Sequence, residues 1–435
     1  MSNPSSNAGF STEGTAAQAP KHTDVLIVGA GPAGASVSLF LSQAQVPHTL
    51  IDKATFPRDK IDGNVHGAKV IEVLDRLNTD YFPELMSQTD QTLGGDAAHI
   101  FTPNGNRLKV RFPHSDDTAA AGSVTKEEVP FFTINRRHFD HFLISKLEAT
   151  YAHSVFGASL KSLERDEAHH WHAAYEANGE ATEIRPKVVV AADGANSTVL
   201  KLLGEELPPS RFYDTVQGYF RGVTGFEEDT ASSERAFNQH AHIEGHFLPE
   251  STPGFFFISP LADGIFNVGV GKPRTEVQAE NIDLKALLHQ IIEKYPQISA
   301  RFTHAEPISE IRAWPLVLGS AKRESISGEG YLAVGDAAGL CTPLTYFGTG
   351  SSMVSGMLAA EQIQRSVSQQ KFDANTLANY DRAVYDRLQK EFQATHLIKS
   401  FVKQNWVFDL VSSNPLVKSV LRRSMKQTST LLKRL

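Results

Sequence analysis

An α/β fold, in which a parallel sheet covered by helices is interrupted by an inserted antiparallel sheet, follows from three observations in this 435-residue sequence. A short apolar run turns through glycine into a helical pattern three times, at DVLIVGAGPAG, KVVVAADGANS and YLAVGDAAG. Between the second and third, residues of roughly 206 to 324 alternate polar and apolar side chains between turn signals, the pattern of antiparallel strands. Beyond Asp373 the spacing of apolar residues is helical to the end of the chain.

Each element follows in order. Residues 1–21 are rich in Ser, Ala, Gly and Pro and read as a disordered tail. Order is expected from Thr23, where DVLIV is a strand stopped by Gly29, AGASVSLFLSQAQV a helix and HTLID a second strand. Strand, glycine turn, helix and strand make a parallel unit with a right-handed crossover. From Asn78 to Thr133 the pattern is irregular, with Gly94-Gly95 and an Asn104-Gly105 turn signal that predict hairpins. Helix returns at RRHFDHFLISKLEATYA. In PGFFFISPLADGIFNVGVG, Asp263-Gly264 predicts a hairpin. The expected organisation is a discontinuous Rossmann-type domain (22–90, 135–205 and 325–370), a substrate domain (91–134 and 206–324) and a helical C-terminal region (371–435).

Composition narrows the class. With 41% hydrophobic and 21% charged residues the chain reads as globular, and a net charge of −7 gives no reason to expect a nucleic-acid partner. The single cysteine, Cys341, excludes an intramolecular disulfide and any cysteine-based metal cluster, and with no secretory leader in the first residues it points to the cytoplasm. No apolar run reaches the length of a spanning helix. From Val417 to Leu435, apolar residues at helical spacing accompany Lys418, Arg422, Arg423, Lys426, Lys433 and Arg434. That segment either packs on the parent domain or lies on the inner face of a membrane.

The first glycine turn carries specific chemistry. Gly29 permits the tight turn, Gly31 lets the backbone approach a pyrophosphate, and Gly34 lets helix and strand pack closely. The helix N-terminus offers unpaired N–H groups and partial positive charge. Asp52 follows by about the twenty residues expected of an acid that accepts from a ribose hydroxyl. Lys53 and Arg58 are counted with the same site.

The other two stretches separate FAD from NAD by resemblance. ADGANS (Ala192 to Ser197) and VGDAAG (Val334 to Gly339) resemble fingerprints of the flavoprotein superfamily that includes aromatic hydroxylases, flavin halogenases and geranylgeranyl reductases. The resemblance implies that Asp336, after Gly335, hydrogen-bonds the ribitol chain. It places Asp193 and Gly194 near the pyrophosphate and an entering nicotinamide cofactor, and Arg136 against the dinucleotide. It also implies that the helix after LCTPLTYFGTG, with Gly348 and Gly350 at its start, points at the flavin ring.

From about Asp24 to Gln362 the chain resembles the geranylgeranyl reductase family. FPRDKIDG matches that family's FPR-x-K-x-C-G segment with Asp62 in place of cysteine, and Phe255, Phe257, Ser259, Pro260, Gly269 and Gly271 fall on its Y-x-W-x-F-P and G-x-G signature. Phe255 and Phe257 therefore mark a substrate-pocket strand or the core of that strand, with Trp314 a further candidate for the pocket wall.

What the resemblance implies is an FAD-dependent oxidoreductase that reduces a carbon–carbon double bond of an apolar, isoprenoid- or lipid-like substrate, with NAD(P)H as electron source. The alternative is an FAD monooxygenase that hydroxylates or epoxidises an apolar or aromatic substrate. A halogenase comes third, because both tryptophans of its G-W-x-W-x-I-P segment are absent and the only nearby lysine, Lys69, reads as a solvated helix residue. A flavin-bound sensor would be distinguished by its failure to turn over NAD(P)H. No catalytic residue is fixed by the sequence; the candidates are His66, as a proton donor, and Cys341, within six residues of Asp336. No metal is expected: His240, His242, His246 and Glu244 have ligand chemistry, but the superfamily needs no metal, and His169, His170 and His172 sit in a polar hairpin.

Overall fold

A computed structural model describes residues 23–402, except 61–62, 103–105, 113–128, 168–169, 227–240 and 344, with side chains to residue 396. The Asn104-Gly105 turn, Asp62, His169, His240 and the basic C-terminal segment lie outside the described residues.

The chain opens with β1 (Val25–Val28), α1 (Pro32–Gln43) and β2 (His48–Asp52). Next come β3 (Val65–Gly67), α2 (Ala68–Leu77), α3 (Tyr81–Ser87), β4 (Thr92–Phe101), β5 (Arg107–Arg111) and β6 (Phe131–Ile134). They are followed by α4 (Arg136–Ser145), β7 (Ala152–Phe156), β8 (Ala158–Arg165), β9 (Trp171–Ala177), β10 (Glu180–Ile184), β11 (Val188–Ala191) and α5 (Thr198–Leu203). The large insertion holds β12 (Phe212–Arg221), β13 (Ala241–His246), β14 (Phe255–Pro260), β15 (Ile265–Pro273), α6 (Arg274–Ala279), α7 (Leu284–Lys294), α8 (Pro296–Ser299), β16 (Glu306–Pro307) and β17 (Arg312–Val317). Return to the first domain brings β18 (Ser327–Gly328), β19 (Tyr331–Ala333), α9 (Thr349–Gln369) and α10 (Ala374–Val402).

Two principal sheets result. The six-stranded sheet has the order β18-β19-β11-β1-β2-β7, with every pair parallel except β18 with β19. Its central strands are VLIV and VVVA, apolar throughout because both faces are covered. β1, β11 and β19, which precede the three glycine turns, are neighbours, so turns distant in sequence share one edge of the sheet. The second sheet has ten strands on the path β16-β12-β15-β14-β13-β4-β6-β3, with β17 and β5 paired onto β12 and β4. The hairpin expected at Asp263-Gly264 joins β14 to β15, with both turn residues at positive φ (58° and 64°). A small sheet, β10-β9-β8, completes the set.

Each sheet has its own core. Val25, Leu26, Ile27, Val188, Val189 and Val190 are fully buried beneath α1 and α9. In the second sheet Phe256, Ile258, Val268 and Val270 pack on Leu288 and Ile291 of α7. A third cluster, Tyr213, Leu316, Leu318, Cys341 and Tyr346, joins the ten-stranded sheet to the loop after β19.

Candidate active site

The three glycine stretches converge. A Cβ on Gly29 would lie 2.9 Å from the Cα of Asp193, and one on Gly335 would lie 3.1 Å from the Cβ of Ala33 in α1. Gly29 takes φ +103°, and Gly34 sits so close beneath it that a Cβ there would come 1.8 Å from the Gly29 carbonyl oxygen. Over Gly31 the space is open except for Arg58 Nη2, 3.5 Å away, as a glycine that admits a pyrophosphate requires.

Charge is arranged about that space. α1 and α9 begin at Gly31 and Gly348 with no side chain capping their first N–H groups, whereas Asn135, Ser197 and Asp283 cap α4, α5 and α7. Two uncapped N-termini offer donors and partial positive charge to an anion. Arg136 is buried, lies beside Gly63 and the first residue of α9, Thr349, and pairs with Asp140 (Nε to Oδ1, 2.7 Å; Nη2 to Oδ2, 3.1 Å). Arg58 reaches the same carboxylate at 3.2 Å, and its buried Nε has no partner among the described residues. Burial alone would raise the Asp140 pKa, but the charge and hydrogen bonds of Arg136, followed by Arg58, hold it below the ordinary value.

Asp52 ends β2, buried, and its Oδ2 accepts from the Ala30 N–H at 2.7 Å while Oδ1 accepts from Ala54 N–H. It thus braces the glycine turn, and each oxygen keeps a lone pair for a ribose hydroxyl. Lys53 points into solvent beside it. Asp336 lies across from Gly348, its Oδ1 3.4 Å from where a Cβ would stand. Gly350 packs against the Lys69 side chain. These residues fit a dinucleotide: room over Gly31, an orphaned guanidinium nitrogen, two uncapped helix ends and a carboxylate at each end of the cleft.

Several expectations need correction. The Asp193 carboxylate is engaged within its own turn. Oδ1 accepts from Ser197 Oγ (2.6 Å) and Oδ2 from the N–H groups of Thr198 and Val199, so it holds the start of α5 while only its backbone crosses Gly29. Gly194, at φ +82°, makes that turn possible. His66 is fully buried between Phe132 and Phe139, with ring centres 5.1 and 4.2 Å away. Burial first, then the charge of Arg136, lowers its pKa to about 3, so it is a neutral core side chain rather than a proton donor to substrate. Cys341 is likewise fully buried, as a small apolar member of the third cluster. Lys69 is not solvated: it is buried, its Nζ paired with Glu391 at 2.5 Å and 3.3 Å from Ser351 Oγ, so it ties α2 to α10 and α9.

The aromatic positions meet at the other side of the loop. Phe255 and Phe257 share a face of β14, half-buried, and Phe255 stacks on Tyr346 with ring centres 4.3 Å apart. Tyr346 also meets Tyr213 at 4.5 Å. Trp314, on β17, lies under Lys60 Nζ at 4.4 Å, and its buried Nε1 has no acceptor among the described residues.

Sequence reasoning missed Asp140, Tyr346 and Asn64. Asn64 Oδ1 accepts from the Arg136 N–H and from Tyr219 Oη of β12, joining the start of α4 to the ten-stranded sheet. Asp140 had a visible signal, one helical turn after Arg136. Asn64 and Tyr346 sit in loops whose course only the fold sets.

A parallel sheet with three glycine turns on one edge, an arginine pair above them and a second sheet closing the cleft define a flavin-dependent oxidoreductase. The sequence pattern of the FAD binding domain family matches residues 22–383, and the chain belongs to that family. It is 26% identical over 401 residues to digeranylgeranylglycerophospholipid reductase 2 of Methanopyrus kandleri, covering 90% of this chain and 88% of that one. Menaquinone reductase of Mycobacterium tuberculosis is 26% identical over 341 residues, 78% of this chain and 76% of its own. Among solved structures, a geranylgeranyl bacteriochlorophyll reductase-like protein from Thermoplasma acidophilum superposes with a TM-score of 0.74 at 18% identity, covering 90% of this chain and 91% of that one.

Proposed function

We propose that this FAD-dependent oxidoreductase reduces a carbon–carbon double bond in an apolar, isoprenoid- or lipid-like substrate, with NAD(P)H as the source of electrons. The observation that carries the reading is the aromatic wall of Phe255, Phe257, Trp314 and Tyr346, the last of which lies in the loop that leads into α9. It offers apolar surface and one unpaired N–H, a lining suited to a long hydrocarbon with little polarity. The names of the lipid reductases among the relatives support the same substrate class.

Bound FAD would supply two-electron transfer. The chain's own residues would bind and orient it: Arg58 and Arg136 at the pyrophosphate, Asp52 at a ribose, Asp336 at the ribitol chain, with the N-terminus of α9 lending partial positive charge to the ring. The aromatic wall excludes water from the reacting carbons. The pairing of Lys69 with Glu391 and Ser351 leaves it engaged elsewhere, which argues against halogenation. A substrate of this kind is drawn from lipid. The basic segment from Val417 to Leu435 would bring the enzyme to an anionic surface, which co-sedimentation with anionic vesicles tests.

Anaerobic mixing with NADPH, followed by a geranylgeranyl lipid, tests the reaction. The flavin spectrum should bleach and then recover with the lipid while a saturated product accumulates. Recovery only on admission of air, with an oxygenated product, would replace this reading with the monooxygenase one.

A further inference from the structure

One polar cluster lies on the far side of the ten-stranded sheet. β4 and β13 are its one parallel pair among the described residues, and a register shift at Ala241/His242 sets His99 opposite Glu244. Since side chains alternate along a strand, His242, Glu244 and His246 share a face, joined by His99 from the neighbouring strand. Phe256 and Ile258 of β14 occupy that face, against α7, whereas Phe255 and Phe257 look to Tyr346 on the other. The cluster is therefore separate from the candidate flavin site. His99, His242, Glu244 and His246 are all at least nine-tenths buried.

The carboxylate of Glu244 divides its contacts. Oε2 accepts from Arg301 Nη1 (2.5 Å) and faces His246 Nε2 (3.0 Å), whereas Oε1 faces His242 Nε2 (3.0 Å). His99 lies over His242, ring centres 3.8 Å apart with the planes tilted by 30°, and neither of its ring nitrogens has a hydrogen-bond partner among the described residues. A buried polar group left so is destabilising, which makes His99 the anomaly of the cluster. One donor atom from each of His99, His242 and Glu244 lies within 4.8 Å of the others.

We propose that His99, His242 and Glu244 form a binding site for a divalent transition cation, zinc above all, with water in the fourth position. Two imidazoles and one carboxylate are a zinc donor set. The cation would replace the proton shared by His242 Nε2 and Glu244 Oε1, while Arg301 and His246 hold Oε2, as hydrogen bonds orient carboxylate ligands elsewhere. Ligand bonds of about 2.0–2.2 Å bring donor atoms to roughly 3.3 Å from one another, so the His99 ring must slide across His242 by on the order of 1 Å. The ion would join two strands distant in sequence, a structural task independent of flavin chemistry.

The test uses full-length, tag-free flavoprotein, stripped with chelator and then given zinc or cobalt(II). The expected result is one equivalent of zinc retained after desalting, a higher melting temperature, and the intense visible absorption of four-coordinate cobalt. His99→Phe, which keeps the ring contact, should lose the equivalent and the spectrum with flavin content unchanged. His172→Ala, at an exposed histidine beside Asp166, should keep both. If wild-type protein retains no metal, or His99→Phe retains as much as wild type, the cluster is a proton-bonded network and the proposal fails. Should His99→Phe not fold, the cobalt spectrum of the wild type decides: its absence overturns the site.

Discussion

Asp140 takes two hydrogen bonds from Arg136, one helical turn earlier, and with its own side chain fully buried it fixes that guanidinium beside Gly63 and the start of α9. Arg58 shares the same carboxylate, so a single acid aligns the two arginines that flank the cleft from the first glycine turn to α9.

Asp140→Asn should therefore weaken flavin binding as well as folding. Removing the charge takes the Asp140 counter-charge away from the buried Arg136 guanidinium, a loss on the order of 3 kcal/mol. Flavin fluorescence titration and a thermal melt of the same sample read the two effects. If the melting temperature falls while the flavin affinity of the folded protein is unchanged, the arginines do not hold the dinucleotide.

His66 makes a prediction about pH. Its folded pKa of about 3 lies below the unfolded value of 6.5, so the unfolded chain takes up the proton first. Stability from this residue is complete above about pH 6.5 and declines as pH falls toward 3. Between pH 7.5 and 5 the wild type should lose about 2 kcal/mol more than His66→Phe, whose ring suits the space between Phe132 and Phe139. Urea melts at the two pH values measure the gap, and equal losses would contradict a buried neutral imidazole.

Asp193 separates a structural role from the one its motif implies. As an acceptor for the first N–H groups of α5, beside the N-cap Ser197, it should cost about 1 kcal/mol when changed to Ala, with flavin affinity little altered because its oxygens face Ser197, Thr198 and Val199. A variant that melts normally yet binds flavin tenfold more weakly would restore the motif's reading.

These cases show what sequence could convey. The strand, glycine, helix pattern was legible because a tight turn beneath a helix N-terminus needs glycine at fixed spacing, so Gly29, Gly34 and Gly335 are found where the pattern puts them. Side-chain direction was not legible. Asp193 and His66 have the right residue types in the right segments, but whether a side chain faces a cleft or a core depends on strand register and on helices elsewhere in the chain. Phe255 and Phe257 could be narrowed only to one face of a strand, and it is Tyr346, in a loop 91 positions from Phe255, that shows which side that face meets. His99 carried no signal at all, since its neighbour Glu244 lies far along the chain and reaches it through the parallel pairing of β4 with β13.

Gly31 and Gly34 share a motif but should fail differently. A methyl on Gly34 would lie 1.8 Å from the Gly29 carbonyl oxygen, a backbone atom that cannot yield without opening α1 from β1. Gly34→Ala should thus destabilise the protein even without flavin, by at least the roughly 1–3 kcal/mol of an overpacked core. A methyl on Gly31 meets only the end of the Arg58 side chain, 3.5 Å away, so the flavin-free protein should melt within about 0.5 kcal/mol of wild type. The same methyl would stand where the pyrophosphate approaches, and flavin affinity should fall by at least tenfold. Melting curves of flavin-stripped protein and flavin titrations, run on both variants, separate the two roles. If Gly31→Ala binds flavin as wild type does, the open space above α1 is not the pyrophosphate site.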